Sequence, residues 1–223
     1  MDPIWAEGEI PFLTTEQMVE VDRAMIEDFG IDLVRMMENA GRSLAHLARE
    51  RFLGGNPEGK AVVVLAGTGG NGGGALVAAR RLHGYGAKVS VGVARRSTQM
   101  TAVAGQQLAI LEEMGVPIVV GAPPDVTPDL ILDGLIGYSL RGAPRGISAE
   151  LIRWANETLA AVLSLDVPSG LDTTTGTVFD PVIRADATMT LALPKAGLRV
   201  PEAGRVVGEL YLADISVPPE LYA

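Results

Sequence analysis

The chain has 223 residues, of which 48% are apolar and 20% charged, which is enough to build one full hydrophobic core. Its formal net charge of −9 argues against non-specific binding to nucleic acid, and the absence of cysteine excludes disulfides, thiol catalysis and thiolate metal sites. No apolar run approaches the roughly 20 residues that a membrane-spanning helix needs. We therefore expect a cytoplasmic protein that forms one domain over residues 1–223 and contacts neither nucleic acid nor membrane.

Two helices are predicted at the start of the chain, after an N-terminal arm of residues 1–12. Thr14 and Gln17 have the spacing of a capping box, which predicts a helix that runs to about Phe29. A second helix is predicted over residues 32–52. Its apolar stripe comprises Met36, Met37, Ala40 and Leu44. Because both helices precede the sheet, the stripe predicts self-association, although it could instead pack on the sheet.

Strands alternate with helices along the rest of the chain. The strands are predicted near residues 61–66, 87–93, 116–120, 129–132, 160–165, 186–192 and 206–213. The helices are predicted at residues 73–84, 98–114 and 148–157. This alternation is typical of a parallel, doubly wound sheet. We therefore predict an α/β fold, a Rossmann-like three-layer sandwich with a mostly parallel sheet and helices on both of its faces.

The most informative segment is residues 61–80, AVVVLAGTGGNGGGALVAAR. Its continuous β-branched run predicts a buried parallel strand, and a loop with six glycines between Gly67 and Gly74 follows. The next helix directs its free N–H groups and the positive end of its dipole toward that loop. Strand, loop and helix together predict a cradle for phosphate. A tight turn without a ligand is the alternative interpretation.

Two further loops begin with an aspartate at the end of a predicted strand. The first, DGLIGYSLRGAPRG, starts at Asp133, and the second, DVPSGLDTTTG, starts at Asp166. In a doubly wound sheet, ligands bind at the carboxyl ends of the strands. Either aspartate alone could be a structural cap of a turn. Two such carboxylates, each followed by a loop rich in glycine or proline, favour a functional site.

Carboxylates are the available acid–base groups, because the chain has only two histidines and both fall within predicted helices. Asn71, Asp133 and Ser169 could supply hard oxygen ligands, which suit alkali or alkaline-earth cations better than zinc or copper. Lys195 follows a predicted strand, so it is either a contact to an anionic ligand or an exposed loop lysine.

Five motifs occur in order along the chain. They are LTTEQMVEVDRAMIEDFGIDLVRMMENAGRSLA, AGTGGNGGGALVAARRL, LILDGLIGYSLRGAPRG, LSLDVPSGLDTTTG and LPKAGL. Through these motifs the chain resembles the NAD(P)H-hydrate epimerase family, also called the YjeF N-terminal domain. The resemblance implies a Rossmann-like fold, usually dimeric. It also implies an isomerase of metabolite repair, which interconverts the R and S forms of hydrated NADH and NADPH at C6 of the nicotinamide ring.

The resemblance also implies the residues of the site. Asn71, Asp133 and Ser169 match the ligands of a potassium ion, and Asp166 matches the residue that contacts the substrate and handles protons at the ring. The other implied substrate contacts are Gly70, Asn71, Gly72, Gly73 and Gly74, followed by Gly137, Tyr138, Ser139, Leu140, Arg141, Gly142, Ala143 and Pro144. We expect the dehydratase that completes such a repair to be a separate chain.

The sequence departs from the family's pattern in two loops. Gly70 replaces an asparagine and Gly74 an aspartate, while Tyr138-Ser139 replaces a threonine-glycine pair. These changes leave open a catalytically silent nucleotide-binding or dimerisation module of the same fold. An NAD(P) dehydrogenase is a third possibility, for which Arg95 and Arg96 after the second strand would favour NADP.

Overall fold

The computed structural model describes residues 10–222 and begins with the two predicted helices. Helix α1 spans Thr15–Glu27. Helix α2 spans Leu33–Leu47 and continues into a π-helical turn over Ala48–Phe52. Most of the predicted N-terminal arm, residues 1–9, lies outside the described residues. The rest of the arm leads directly into α1.

Both helices begin at side-chain caps. The Thr14 hydroxyl accepts a hydrogen bond from the Gln17 N–H, and the Gln17 side chain accepts one from the Thr14 N–H, which confirms the predicted capping box. The Asp32 carboxylate accepts from the Arg35 N–H at the start of α2. These polar residues satisfy free N–H groups of the first turn and so determine where each helix starts.

One parallel sheet forms the centre of the molecule. Its strands are β1 (Ala61–Ala66), β2 (Lys88–Val93), β3 (Ile118–Val120), β4 (Leu130–Gly134), β5 (Ala161–Leu165), β6 (Ala187–Leu191) and β7 (Glu209–Ala213). The helices between them are α3 (Gly70–Gly84), α4 (Ala102–Glu113), α5 (Gly146–Glu157) and α6 (Gly204–Val207). The strand order is β3-β2-β1-β4-β5-β6-β7. The order reverses between β1 and β4, which leaves a crevice at their carboxyl ends.

Alternate side chains of each strand face opposite layers of helices. In β1, Val62 and Val64 belong to the core that α2, α3 and α4 cover. Val63 and Leu65 belong to the core that α5 covers. Because both faces of the strand are buried, its sequence is continuously apolar instead of alternating with polar residues. The predicted three-layer α/β sandwich is confirmed.

Helices α2 and α3 approach each other closely because glycines line their contact. A Cβ at Gly41 would lie 2.4 Å from the Val77 Cβ, and one at Gly73 would lie 2.5 Å from the Met37 sulfur. A Cβ at Gly74 would lie 2.9 Å from a Leu165 methyl group. A larger residue at these positions would force the helices apart or displace the sheet.

The apolar stripe of α2 lies inside the protein. Met36, Met37, Ala40 and Leu44 are at most 6% exposed. Met36 and Ala40 pack with α1 and with the segment after β7, and Leu44 packs on the sheet. The prediction that this stripe mediates self-association is therefore wrong. Side chains that are buried in the core of one chain cannot also contact a second copy.

Several element boundaries differ from the prediction. Helix α3 begins at Gly70 instead of residue 73, so part of the glycine run is helical. Strand β7 begins at Glu209 instead of residue 206, because α6 precedes it and Gly208 turns the chain at a φ of +64°. Within residues 10–222, no helix is long and apolar enough to cross a membrane.

Candidate functional site

A cavity of about 350 Å³ opens at the carboxyl edge of the sheet, where the strand order reverses. Its lining comes from residues 67–71, from Ala94 and Arg95 after β2, from residues 135–139 after β4, and from Ser148 of α5. Doubly wound sheets bind their ligands at this place. The predicted glycine loop and part of the predicted second loop therefore meet at one cavity.

The glycines of the glycine loop, residues 67–74, have two different environments. A Cβ at Gly69 or Gly70 would meet no atom within 4 Å, so these two face open space and a ligand can approach their backbone. A Cβ at Gly72 would lie 2.0 Å from the Gly67 carbonyl oxygen. Gly72, Gly73 and Gly74 are buried in the first turn of α3. They allow close packing, while the start of the same turn, at Gly70 and Asn71, lines the cavity.

Asp133 is completely buried near the end of β4. Four hydrogen bonds reach its carboxylate: from the Ser169 hydroxyl (2.6 Å) and N–H (2.9 Å), the Ser164 hydroxyl (2.9 Å) and the Leu135 N–H (3.2 Å). Burial raises the pKa of Asp133, and these hydrogen bonds oppose that rise. All four donors are neutral. Within the described part of the chain, no ion pair to a basic side chain balances this carboxylate.

Asn71 lies between the loops that follow β4 and β5. Its side-chain amide donates to the Leu165 carbonyl at 2.8 Å, and a Cβ at Gly137 would lie 3.0 Å from its Cγ. No hydrogen bond joins Asn71 to Asp133 or Ser169 among residues 10–222. The structure thus brings two of the three predicted cation ligands into direct contact and places the third beside the next strand end.

The chemistry of this donor set fits a hard cation. It offers one carboxylate, a hydroxyl and an amide oxygen, and the carboxylate is buried with neutral donors only. In the described residues no group of three or more His, Cys, Asp or Glu side chains could hold a metal ion. Those side chains therefore do not form a site of the kind that transition metals occupy.

Asp166 turns the chain sharply where β5 ends. Its φ of +68° is uncommon for a residue other than glycine, and such backbone is typical of functional sites. The side chain is buried, and its Oδ1 accepts from Lys195 Nζ at 2.5 Å, the Leu191 N–H at 3.2 Å and the Thr190 hydroxyl at 3.3 Å. No donor of the described residues reaches Oδ2. That oxygen therefore has no protein donor within residues 10–222, although Asp166 is buried and is not among the residues that line the cavity.

Lys195 forms a buried ion pair with Asp166 and is 1% exposed. Its ammonium also donates to the Leu191 carbonyl at 2.8 Å. The interpretation of Lys195 as an exposed loop lysine is wrong, because the side chain is buried and its anionic partner is a side chain of the protein. A contact to an anionic ligand stays a prediction. The sequence does not reveal this ion pair, because Lys195 and Asp166 are 29 residues apart. It also does not reveal that the chain before α1 pairs with Lys195 through Leu13.

A second polar pair was not predicted from the sequence. The Tyr138 hydroxyl donates to Asp22 Oδ2 at 2.7 Å, which links the loop after β4 to α1. Burial raises the pKa of Asp22, and burial together with Asp22 raises the pKa of Tyr138. Helical spacing places Asp22 on the same face as the buried Met18 and Met25. An acidic residue on an apolar helix face is the one sequence feature that could have identified it.

The predicted contacts of the second loop divide into two groups. Gly137, Tyr138 and Ser139 line the cavity. The others, Leu140, Arg141, Gly142, Ala143 and Pro144, do not line it. Leu140 and Pro144 are buried in the protein, while Arg141 and Gly142 are exposed. The structure therefore places the first part of this loop, but not the rest, beside the glycine loop.

Comparison with known proteins adds independent information. The family described as YjeF-related protein N-terminus matches residues 34–197 of the chain. An NAD(P)H-hydrate epimerase from Dehalogenimonas lykanthroporepellens is 46% identical over 219 residues, which cover 97% of this chain and 87% of the relative. An NAD(P)H-hydrate epimerase from Rhodopirellula baltica is 34% identical, over 96% of this chain and 87% of the relative.

A longer relative and a solved structure extend the comparison. The bifunctional NAD(P)H-hydrate repair enzyme Nnr from Salinibacter ruber is 36% identical over 94% of this chain but only 41% of its own length. The crystal structure of yeast ynu0 matches with a TM-score of 0.72 and 29% identity, and covers 84% of this chain and 83% of that chain. The similarity in sequence and fold therefore extends over most of this protein.

Proposed function

Because the chain belongs to the family of YjeF-related protein N-termini, we propose that it is an NAD(P)H-hydrate epimerase, an isomerase that interconverts the R and S forms of hydrated NADH and NADPH. Two relatives that it matches over most of their length have this name. In this chain, the observation that carries the proposal is the Asp166 carboxylate. It is held by Lys195 at the carboxyl edge of the sheet, with one oxygen left for a substrate.

The nucleotide is proposed to bind with a phosphate at the start of α3. Gly69 and Gly70 leave their backbone open to the cavity, and the first turn of α3 offers free N–H groups and the positive end of the helix dipole. The loss of a carboxylate at Gly74 does not affect this interaction, because Gly74 is buried against Leu165 and Ala40. An anion is therefore favoured by backbone groups that do not depend on side-chain identity.

The reaction inverts a carbon that bears a hydroxyl group and is bonded to the ring nitrogen. Inversion proceeds either by loss and re-addition of water at C6 or by opening and closing of the bond between C6 and that nitrogen. The first route needs a group that donates a proton to the leaving hydroxyl and takes one back from the returning water, and the second needs a group that accepts the hydroxyl proton and returns it on closure. Asp166 is proposed to hold this proton on Oδ2, while Lys195, Thr190 and the Leu191 N–H hold Oδ1 in a fixed orientation.

The proposed activity is tested with the separate R and S hydrates. Purified protein should interconvert them faster than they interconvert spontaneously, as followed by chromatography. Asp166→Asn should lower the rate by about 10²–10⁴-fold, the usual contribution of a positioned acid–base group. The matched control is Asp125→Asn, because Asp125 is exposed and lies outside the cavity lining. If Asp166→Asn has the activity of the parent, Asp166 is not the base.

The same experiment separates the alternatives. A silent binding module would retain nucleotide but leave both hydrates at the spontaneous rate, and a dehydrogenase would oxidise or reduce its ligand instead of inverting it. The sequence offers one argument for the silent module, because the glycine loop carries no acidic side chain. The paired Asp166 and Lys195 favour the epimerase, because a buried ion pair stabilises a fold only weakly and needs another reason to be there.

We further propose that Asp133, Ser169 and Asn71 bind a potassium ion. The ion would supply a positive charge that balances the buried Asp133 carboxylate and orders the loops after β4 and β5. Potassium chloride should then raise the melting temperature more than choline chloride at equal ionic strength. Asp133→Asn and Ser169→Ala should remove this difference. An equal response of the parent to both salts would contradict the site.

A homodimer is proposed to form through an exposed apolar patch on the first two helices. The patch comprises Val19, Ile26, Phe29, Leu33 and Val34, each 37–50% exposed. Exposed apolar side chains that form a patch mark interaction surfaces, and these five lie on α1, on α2 and between them. Light scattering should give twice the 23.3 kDa of one chain, and Phe29→Glu should yield the monomer. A cytoplasmic location and a separate dehydratase stay predictions, which cell fractionation and co-purification would test.

A further inference from the structure

The loop of residues 137–145 forms most of the connection from β4 to α5, and its first part lines one side of the cavity. Just before this loop, the Ile136 N–H donates to the Ser169 hydroxyl at 2.8 Å, which holds the start of the connection at the loop after β5. Within the described chain, one side-chain hydrogen bond ties this loop to another element, from the Tyr138 hydroxyl to Asp22 Oδ2 at 2.7 Å. Its backbone adds one internal hydrogen bond, from the Leu140 N–H to the Gly137 carbonyl at 3.3 Å. The orientation of the Tyr138 side chain beside the cavity therefore depends on α1.

Helix α1 is itself fixed to the two neighbouring loops. The Thr15 hydroxyl lies 2.6 Å from the Thr173 hydroxyl and 2.8 Å from the Thr174 hydroxyl, in the loop after β5. The Leu13 N–H donates to the Pro194 carbonyl at 2.9 Å, in the loop after β6. The helix thus contacts the loops that follow β4 and β5, and the residue before its cap contacts the loop that follows β6. Helix α1 and the residues just before it precede the sheet in sequence, yet they connect three loops at the carboxyl edge of the sheet.

Asp22 lies where its carboxylate can make one well-directed contact. Val21 and Met25 beside it are buried, so this side of α1 packs against the protein and Asp22 is only partly exposed. A hydrogen bond to a carboxylate is stronger and more directional than one between neutral groups. Partial burial withdraws this carboxylate from water and raises the pKa of Asp22.

We infer that Asp22 is a positioning residue for the epimerase reaction: it holds Tyr138 against α1 and thereby fixes the side of the cavity that Tyr138 offers to the hydrated nucleotide. This inference rests on the proposed function. Asp22 acts through Tyr138 and does not itself touch the substrate. Tyr138 donates its one phenolic proton to Asp22 and is also one of the residues that line the cavity.

Four variants test the inference. Tyr138→Phe and Asp22→Ala each remove the hydrogen bond and should raise KM for both hydrates by about 10-fold, with a smaller change in kcat. Asp22→Asn keeps an acceptor oxygen and should restore KM to within about 3-fold of the parent. The double variant should be no worse than either single variant, because both remove one interaction. Glu20→Ala, on the exposed side of α1, is the control.

Hydrogen exchange provides a readout that does not need activity. Amide exchange in residues 137–145 should become about 10-fold faster in Tyr138→Phe and Asp22→Ala, and stay near the parent rate in Asp22→Asn and Glu20→Ala. If the protein fails to epimerise but shows this pattern, the proposed function is wrong while the link between α1 and the loop stands. Unchanged exchange in Tyr138→Phe, or additive effects on KM in the double variant, would overturn the inference.

Discussion

Replacement of Lys195 by methionine should destabilise the protein strongly. The Lys195 and Asp166 side chains are 1% and 5% exposed, and their charged atoms are 2.5 Å apart. Methionine has a similar length but no charge, so the variant leaves the Asp166 carboxylate buried without its cation. Removal of one partner from such a pair costs about 3–5 kcal/mol. That is a large part of the ~5–15 kcal/mol by which a typical domain is stable.

Urea unfolding of Lys195→Met, Asp166→Asn and the double variant measures this effect. With an m-value of about 2 kcal/mol/M, the Lys195→Met midpoint should fall by about 2 M. The double variant should lose much less than the sum of the two single variants, because no buried charge is left unpaired. Additive losses, or a loss below about 1 kcal/mol in Lys195→Met, would show that the two groups do not depend on each other.

Three further predictions concern the cavity and α1. Gly72→Ala should cost at least about 1–3 kcal/mol of stability because its Cβ would lie 2.0 Å from a backbone oxygen, whereas Gly69→Ala should unfold like the parent in the same urea titration. Arg95→Ala should lower kcat/KM for the NADPH hydrate by about 10-fold and spare the NADH hydrate, because the exposed Arg95 lines the cavity and can pair with a 2′-phosphate. Arg96→Ala, outside that lining, is its control, and equal losses for both hydrates would refute the assignment. Burial raises the pKa of Asp22, so the contribution of Asp22 to stability should fall as pH rises above the ordinary aspartate value of about 3.9. In urea unfolding from pH 4 to 8, the free energy of unfolding of Asp22→Asn should therefore rise relative to that of the parent. A difference that stays constant with pH would contradict this.

The glycine loop shows how far a local pattern predicts a site. Its sequence correctly predicts a strand, a turn and a helix start at the carboxyl edge of the sheet. It does not show which glycines face a ligand and which face the protein. Gly69 and Gly70 have open space, whereas Gly73 and Gly74 contact Met37 and Leu165. Which glycines are packed depends on how closely α3 approaches α2 and the sheet. Glycine is required both where a ligand approaches the backbone and where another element does, so the residue type alone does not distinguish the two.

The sequence by itself determined the fold class and the strand ends that carry the site. Burial on both faces makes a parallel strand continuously apolar, and a cap must be polar at a fixed spacing, so β1 and the start of α1 are recognisable from neighbouring residues. Only the tertiary structure decided the partners of Asp166 and Tyr138. Lys195 and Asp22 lie on other elements, and each pair depends on how α1 and the chain before it pack across the sheet edge. Local periodicity records whether a side chain is buried, whereas the group that it meets there depends on the packing of segments far apart in the chain.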